Sequence, residues 1–174
     1  MNRYFFMEAD NTLPDSIGLR DFDIHGARQI FTFDDRKDIN EVTALYLDAT
    51  KGECAPDFMK SPVYMVSDMA KKVIELYEDE AAFKKVIFIH KEEERQLVYY
   101  YLLLKEIEAL HETTVYYPNG MEKHMVLSQE KIGNHKAFLL ADSLRKNPVI
   151  SQEVVESLLR RQVMGIQFKE VEVS

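Results

Sequence analysis

Residues 96–104 read Gln96-Leu97-Val98-Tyr99-Tyr100-Tyr101-Leu102-Leu103-Leu104, apolar or aromatic at almost every position. A strand with one wet face alternates between apolar and polar side chains, so a run without alternation requires cover on both faces. Three successive tyrosines favour a strand over a buried helix. The charged bridge Lys91-Glu92-Glu93-Glu94-Arg95 separates this run from Phe83 to His90, which is led by Val86-Ile87-Phe88-Ile89. The two runs together predict a hairpin.

Two segments, 62–90 and 148–173, share one order of parts. In the first, Pro62-Val63-Tyr64-Met65-Val66 is extended and Ser67 stands where a helix N-cap belongs. Met69, Ala70, Val73, Ile74 and Tyr77 then recur at three- and four-residue steps, with Asp68 near the positive end of the helix dipole. In the second, Pro148-Val149-Ile150 is extended, Ser151 caps, and Val154, Val155, Leu158, Leu159 and Gln162 line a helix that Gly165 ends. Ile166, Phe168, Val171 and Val173 close the chain on alternating positions broken once, which predicts a bulge. Between the two segments, strands are expected at Thr113 to Tyr117, near Lys123 and at Lys136 to Ala141, with Asn119-Gly120 as a tight turn at positive φ. Arg3 to Met7, Leu19 to Ile24, Gln29 to Phe33 and Thr43 to Leu47 carry β-favouring residues between Gly, Pro or Asp breaks. The expected fold class is α+β, with a mostly antiparallel or mixed sheet and two Ser-capped amphipathic helices over 67–79 and 151–163. A single domain spans 1–174 on this reading, with an acidic, strand-rich part over 1–55 and the strand–helix–strand plan over 56–174.

Lys and Arg number 22 against 30 Asp and Glu, a formal charge of −8. That sign repels phosphate, which sets nucleic acid and anionic membranes aside as partners and leaves a basic protein as the natural one. The first sixty residues hold twelve acids and seven bases, so the negative charge concentrates there. Cys54 is the only cysteine, which excludes an intrachain disulfide and gives no sign of an oxidising compartment. The stretch Met1 to Glu8 is too short in apolar residues for a signal-peptide core, and Leu97 to Leu104 is too short to span a bilayer. A cytoplasmic location is expected.

Motifs that carry chemistry are sparse. In Asp21-Phe22-Asp23-Ile24-His25 a strand would place both carboxylates and the imidazole on one face, as a divalent metal would require, yet Phe22 and Ile24 make it equally the wet side of a half-buried strand. His111-Glu112 lacks the second histidine of a zinc-protease helix, because position 115 is Val115. His90, His124 and His135 have no ligand spacing to one another. Ser67 and Ser151 have a sufficient reason as caps, and no G-x-S-x-G, G-x-G-x-x-G or G-x-x-x-x-G-K-[ST] occurs among only 6 glycines. Cys54 lies between Glu53 and Asp57, acids that oppose a thiolate. No catalytic residue, cofactor or assigned metal site is therefore expected. Tyr99-Tyr100-Tyr101 suits a binding surface, but more readily a core strand.

The succession Pro62-Val63-Tyr64-Met65-Val66-Ser67 plus helix, Tyr99-Tyr100-Tyr101-Leu102-Leu103, Glu106-Ile107-Glu108-Ala109-Leu110, Lys136-Ala137-Phe138, Pro148-Val149-Ile150-Ser151 plus helix, and Gly165-Ile166-Gln167-Phe168 resembles a family of bacterial immunity-protein domains of polymorphic-toxin systems. The resemblance covers roughly residues 56–173. It implies a non-enzymatic protein that binds and neutralises a cognate toxin, with Asp21, Asp23, Asp34, Asp35 and Asp38 facing that toxin or another basic partner. Two alternatives stand beside it: a small metal-dependent hydrolase or nucleotide-handling enzyme built on Asp21, Asp23 and His25, and a structural or regulatory subunit. The oligomeric state stays open.

Overall fold

The computed structural model describes residues 2–20, 31–61 and 63–174. The chain runs through β1 (Tyr4–Ala9), β2 (Leu19–Arg20), a 3-10 turn (Phe33–Lys37), β3 (Val42–Leu47), β4 (Phe58–Met59), β5 (Met65–Ser67), α1 (Asp68–Tyr77), β6 (Ala81–His90) and β7 (Arg95–Leu104). It continues through β8 (Glu106–Ile107), β9 (Val115–Tyr116), β10 (Glu122–His124), β11 (Val126–Leu127), α2 (Gln129–Ile132), β12 (Ala137–Leu140), β13 (Val149–Ser151), α3 (Gln152–Arg160) and β14 (Ile166–Val173). One sheet has the order β2-β3-β6-β7-β5-β4, another β11-β14-β1-β13-β12-β8, and β9 with β10 forms a separate ribbon. Both six-stranded sheets are mixed, as the α+β reading requires.

The two strand–helix–strand segments build equivalent halves. Within each, a helix links two parallel strands that are held apart by one antiparallel strand: β7 between β5 and β6, and β1 between β13 and β14. The registers coincide. Ser67 and Val86 both face Tyr99, while Ser151 and Val171 both face Tyr4. Phe83-Lys84-Lys85-Val86 thereby falls on Phe168-Lys169-Glu170-Val171, and Tyr99-Tyr100-Tyr101-Leu102 on Tyr4-Phe5-Phe6-Met7. The flanking strands agree in sense as well: β4 and β12 join antiparallel, β3 and β11 parallel. The middle strand of one half follows its helix unit in the chain, whereas the other half takes its middle strand from the N-terminal end.

Each sheet turns one face to a shared central core, where α1 and α3 meet through Ala70, Val73, Ile74, Val154 and Leu158. The outer face of the β7 sheet carries Met65, Val86, Phe88, Tyr99, Tyr101 and Leu103, packed with Ile17 and Val63. The outer face of the β1 sheet carries Tyr4, Phe6, Phe138 and Val149 under Leu110, Leu127 and Ile132. β7 is thus covered on both sides, which is why its sequence does not alternate. The tyrosine run serves the core, with Tyr99 and Tyr101 outward and Tyr100 inward.

Several expectations need correction. β14 pairs with β1 in unbroken register from Ile166↔Ala9 to Val171↔Tyr4, so there is no bulge there. Its alternation breaks because Ile166 and Phe168 enter the central core while Val171 and Val173, on the other face, enter the outer one. The helices are shorter than 67–79 and 151–163. Ser67 does cap α1, accepting from the Ala70 N–H at 3.2 Å. Ser151 occupies the N-cap of α3, but its buried hydroxyl has no hydrogen-bond partner, while the first helical amide, that of Gln152, donates to the Arg3 carbonyl of the strand alongside. Residues 31–33 are no strand, since Thr32 caps the 3-10 turn. Helix α2, only four residues long, is too short to print a period on the sequence.

Candidate functional site

Asp21, Asp23 and His25 lie outside the described residues, so neither their metal-binding spacing nor their partner-facing role has a structural counterpart here. Asp34, Asp35 and Asp38 gather at the 3-10 turn, with unequal duties. The Asp35 carboxylate accepts from the Thr32 N–H at 2.8 Å and the Thr32 hydroxyl at 3.0 Å, so it holds the turn together. The Asp34 side chain is 96% exposed and stands 3.9 Å from Arg36. That guanidinium is already engaged by the Phe33 carbonyl at 2.8 Å and lies over the Phe33 ring. Asp38 is exposed at the end of the turn. Two of the three carboxylates at the turn, Asp34 and Asp38, are therefore exposed.

Glu78, Glu80 and His135 are the only group among the described residues whose donor atoms are close enough for a metal ion. Glu78 ends α1 and is buried, and its Oε2 accepts from the Lys136 and Ala137 N–H groups at 2.7 and 3.1 Å. Glu80 accepts from the Lys105 ammonium at 2.6 Å, which holds its carboxyl below the usual carboxylate range. The imidazole of His135 stands between them, 3.4 Å from Glu78 and 3.5 Å from Glu80. Backbone amides and a lysine already supply the positive partners a cation would provide, so the cluster works as a clasp that docks the start of β12 onto the end of α1. Sequence spacing could not find it, because His135 comes from a distant segment.

A cleft of about 510 Å³ is lined by Leu13, Ile17, Phe58, Met59 and Tyr64 together with Asp10 and Lys60. Three of its polar groups, those of Asp10, Ser16 and Tyr64, have local duties. Asp10 is held below the usual carboxylate range by the Thr12 hydroxyl and N–H, and the Tyr64 hydroxyl donates to the Lys146 carbonyl. The Ser16 hydroxyl donates to the Leu13 carbonyl rather than meeting a base.

The β9–β10 ribbon is a different kind of feature. Val115, Tyr116, Tyr117 and Met121 are each between 48% and 53% exposed on it. The tight turn at Asn119-Gly120 is as expected, with Gly120 at φ +82° and the Asn119 side chain accepting from the Met121 N–H. The exposed aromatics could not be foreseen, since the same residues would suit a core strand. No helix among the described residues is long and apolar enough to cross a membrane.

No curated protein matches the chain. The profile of the Immunity protein family (Imm11), however, matches residues 19–173. The match reaches further toward the N-terminus than the resemblance over 56–173, taking in the 3-10 turn and most of both sheets. The family's role in general is toxin neutralisation, and with nearly the whole chain matched, the chain belongs to the Imm11 immunity protein family.

Proposed function

We propose that the protein neutralises one cognate toxin of a polymorphic-toxin system by binding it directly, in the cytoplasm, as one domain without catalysis. The observation that carries this reading is the family match over 19–173. Two features support it. The buried Glu78 carboxylate of the clasp serves as a structural acceptor, and the acidic 3-10 turn leaves Asp34 and Asp38 exposed for a basic partner, with Asp21 and Asp23 nearby in sequence. Asp35 contributes by shaping that turn. Opposite charge raises the encounter rate and disfavours wrong partners more than it sets affinity.

The test begins with the neighbouring gene: where a large secreted protein with a C-terminal toxin domain is encoded immediately upstream, that domain is the probe. Co-expression should restore growth to cells producing that domain, and the purified pair should co-elute; failure of both refutes the proposal. Asp34→Lys with Asp38→Lys should lower the association rate about tenfold at low salt and much less at high salt. An unchanged on-rate would remove the acidic turn from the interface while leaving the function intact.

A further inference from the structure

We propose that the β9–β10 ribbon is the element that grips the toxin, and that its occupant is an apolar hollow on the toxin ringed by Lys or Arg side chains. This rests on the direct-binding reading above. The ribbon belongs to neither six-stranded sheet. An isolated two-stranded ribbon is marginal in water, and half-exposed Tyr, Val and Met side chains add little to the stability of their own fold. Leu76 on α1 and Leu159 on α3 are exposed at single positions of a kind that needs no explanation, and exposed Val42, Tyr46 and Val98 lie on one face of the β7 sheet, within strands paired along their length through β6. Val115, Tyr116, Tyr117 and Met121 instead fall within one turn-linked unit, and exposed Leu144 is tied beside it by its N–H donating to the Glu122 carboxylate at 3.2 Å.

The ribbon is held in shape before any partner arrives. At its base the buried Thr114 hydroxyl donates to the Val126 carbonyl at 3.0 Å and accepts from the Val126 N–H at 3.2 Å. At its tip the Tyr117 N–H donates to Met121 at 2.8 Å and the Gly120 N–H to Tyr117 at 2.9 Å. Binding through such a unit costs little ordering entropy, and tyrosine gives a large contact area for few rotamers. The charges around it choose the partner. Glu112, Glu122 and Glu172 stand against Lys123, a local balance of 1 − 3 = −2 from the sequence. His124 is occupied by Glu172 at 3.0 Å, and Arg145 is turned onto the Phe6 ring. Tyrosine faces attract guanidinium or ammonium groups, and that of Tyr117 already carries the chain's own Lys123 ammonium at 5.9 Å from its centroid.

The experiment uses the full chain and a catalytically inactive form of the upstream-encoded toxin domain. Tyr116→Ala with Tyr117→Ala should weaken binding at least 100-fold, chiefly through faster dissociation, and Met121→Ala about tenfold, with melting temperatures unchanged. Leu159→Ala, on an exposed position of α3, should leave binding as it was. A double variant that binds within threefold of the native chain overturns the proposal and leaves direct binding standing, whereas no binding by the native chain overturns direct binding itself. Light scattering provides a second check: a native dimer that the tyrosine substitutions convert to monomer would assign the ribbon to a second copy of this chain and overturn the proposal.

Discussion

Ser67 and Ser151 hold the same place in the two halves, yet the structure assigns them opposite energetic roles. The Ser67 hydroxyl accepts from the Ala70 N–H at 3.2 Å and donates to the Asp57 carboxylate at 2.5 Å, and Asp57 in turn accepts from the Met164 N–H at 2.7 Å. Ser67→Ala removes an N-cap, about 1 kcal/mol, and a hydrogen bond to a charged acceptor, about 1.5 kcal/mol. The sum is about 2.5 kcal/mol, or about 5–10 °C of melting temperature for a chain of this size. The Ser151 hydroxyl is in a residue only 2% exposed and has no partner, so it carries the cost of burial without a bond. Ser151→Ala should therefore lie within about 0.5 kcal/mol of the native protein, on either side. Urea and thermal melts of the two variants, with Ser67→Thr as a control that keeps the hydroxyl, measure the difference. Equal losses for the two alanine variants would refute the assignment, as would a Ser67→Ala protein as stable as the native one.

Two further outcomes follow from local geometry. Gly165 has φ +74° and a Cβ there would come within 2.5 Å of the Pro56 Cβ, whereas Gly120 has φ +82° with nothing within 4 Å. Gly165→Ala should cost about 3 kcal/mol and Gly120→Ala about 1 kcal/mol in urea melts, strain being common to both and the clash to one alone. Burial pushes the Tyr64 hydroxyl up to about 12 from the ordinary 10.0. Below pH 10 the hydroxyl is protonated in both states; between pH 10 and 12 the unfolded chain ionises first, so stability should fall by about 1.4 kcal/mol per pH unit. Tyr64→Phe should be about 1 kcal/mol less stable at pH 7, through the lost bond to Lys146, but less steep above pH 10. An identical alkaline slope would count against the buried-phenol account.

Features of the fold that depend on local periodicity were legible in the sequence. The β6–β7 hairpin could be read from two apolar runs and a charged link, and α1 and α3 from their apolar stripes, because burial on one or both faces imposes a repeat on neighbouring residues. What depends on distant partners was not. The break in β14 reflects two cores on opposite faces of one strand, which looks the same in sequence as a bulge. Ser151 has the composition and the position of a cap, but its hydroxyl finds no partner in the folded chain. The same limit applies to the candidate sites. His135 meets Glu78 and Glu80 only through folding, and whether Tyr116 and Tyr117 end in a core or in water depends on what covers them. The order of the parts in segments 62–90 and 148–173 was visible; that both would take the same register around a middle strand was not.

The matched registers make that middle strand testable. β1 lies between β13 and β14 as β7 lies between β5 and β6, yet only β7 follows its neighbour through a short link, Lys91–Glu94. Tyr4 faces Val171 in an antiparallel pair, so residues 2 and 174 stand at the same end of it. A permuted chain that begins at Thr12, joins Ser174 to Asn2 through a flexible link of about six residues, and ends at Asn11 gives the second half the connectivity of the first. It breaks the bonds between Asp10 and Thr12 but preserves every strand pairing, and should lose no more than about 2 kcal/mol. It should also fold faster, because a pairing that spans nearly the whole chain becomes a local hairpin. Removal of residues 1–11 without relinking takes Tyr4, Phe6 and Met7 from two cores and should unfold the protein. A truncated chain that keeps native stability, or a permuted chain that stays unfolded at every link length, would show that β1 is not the structural counterpart of β7.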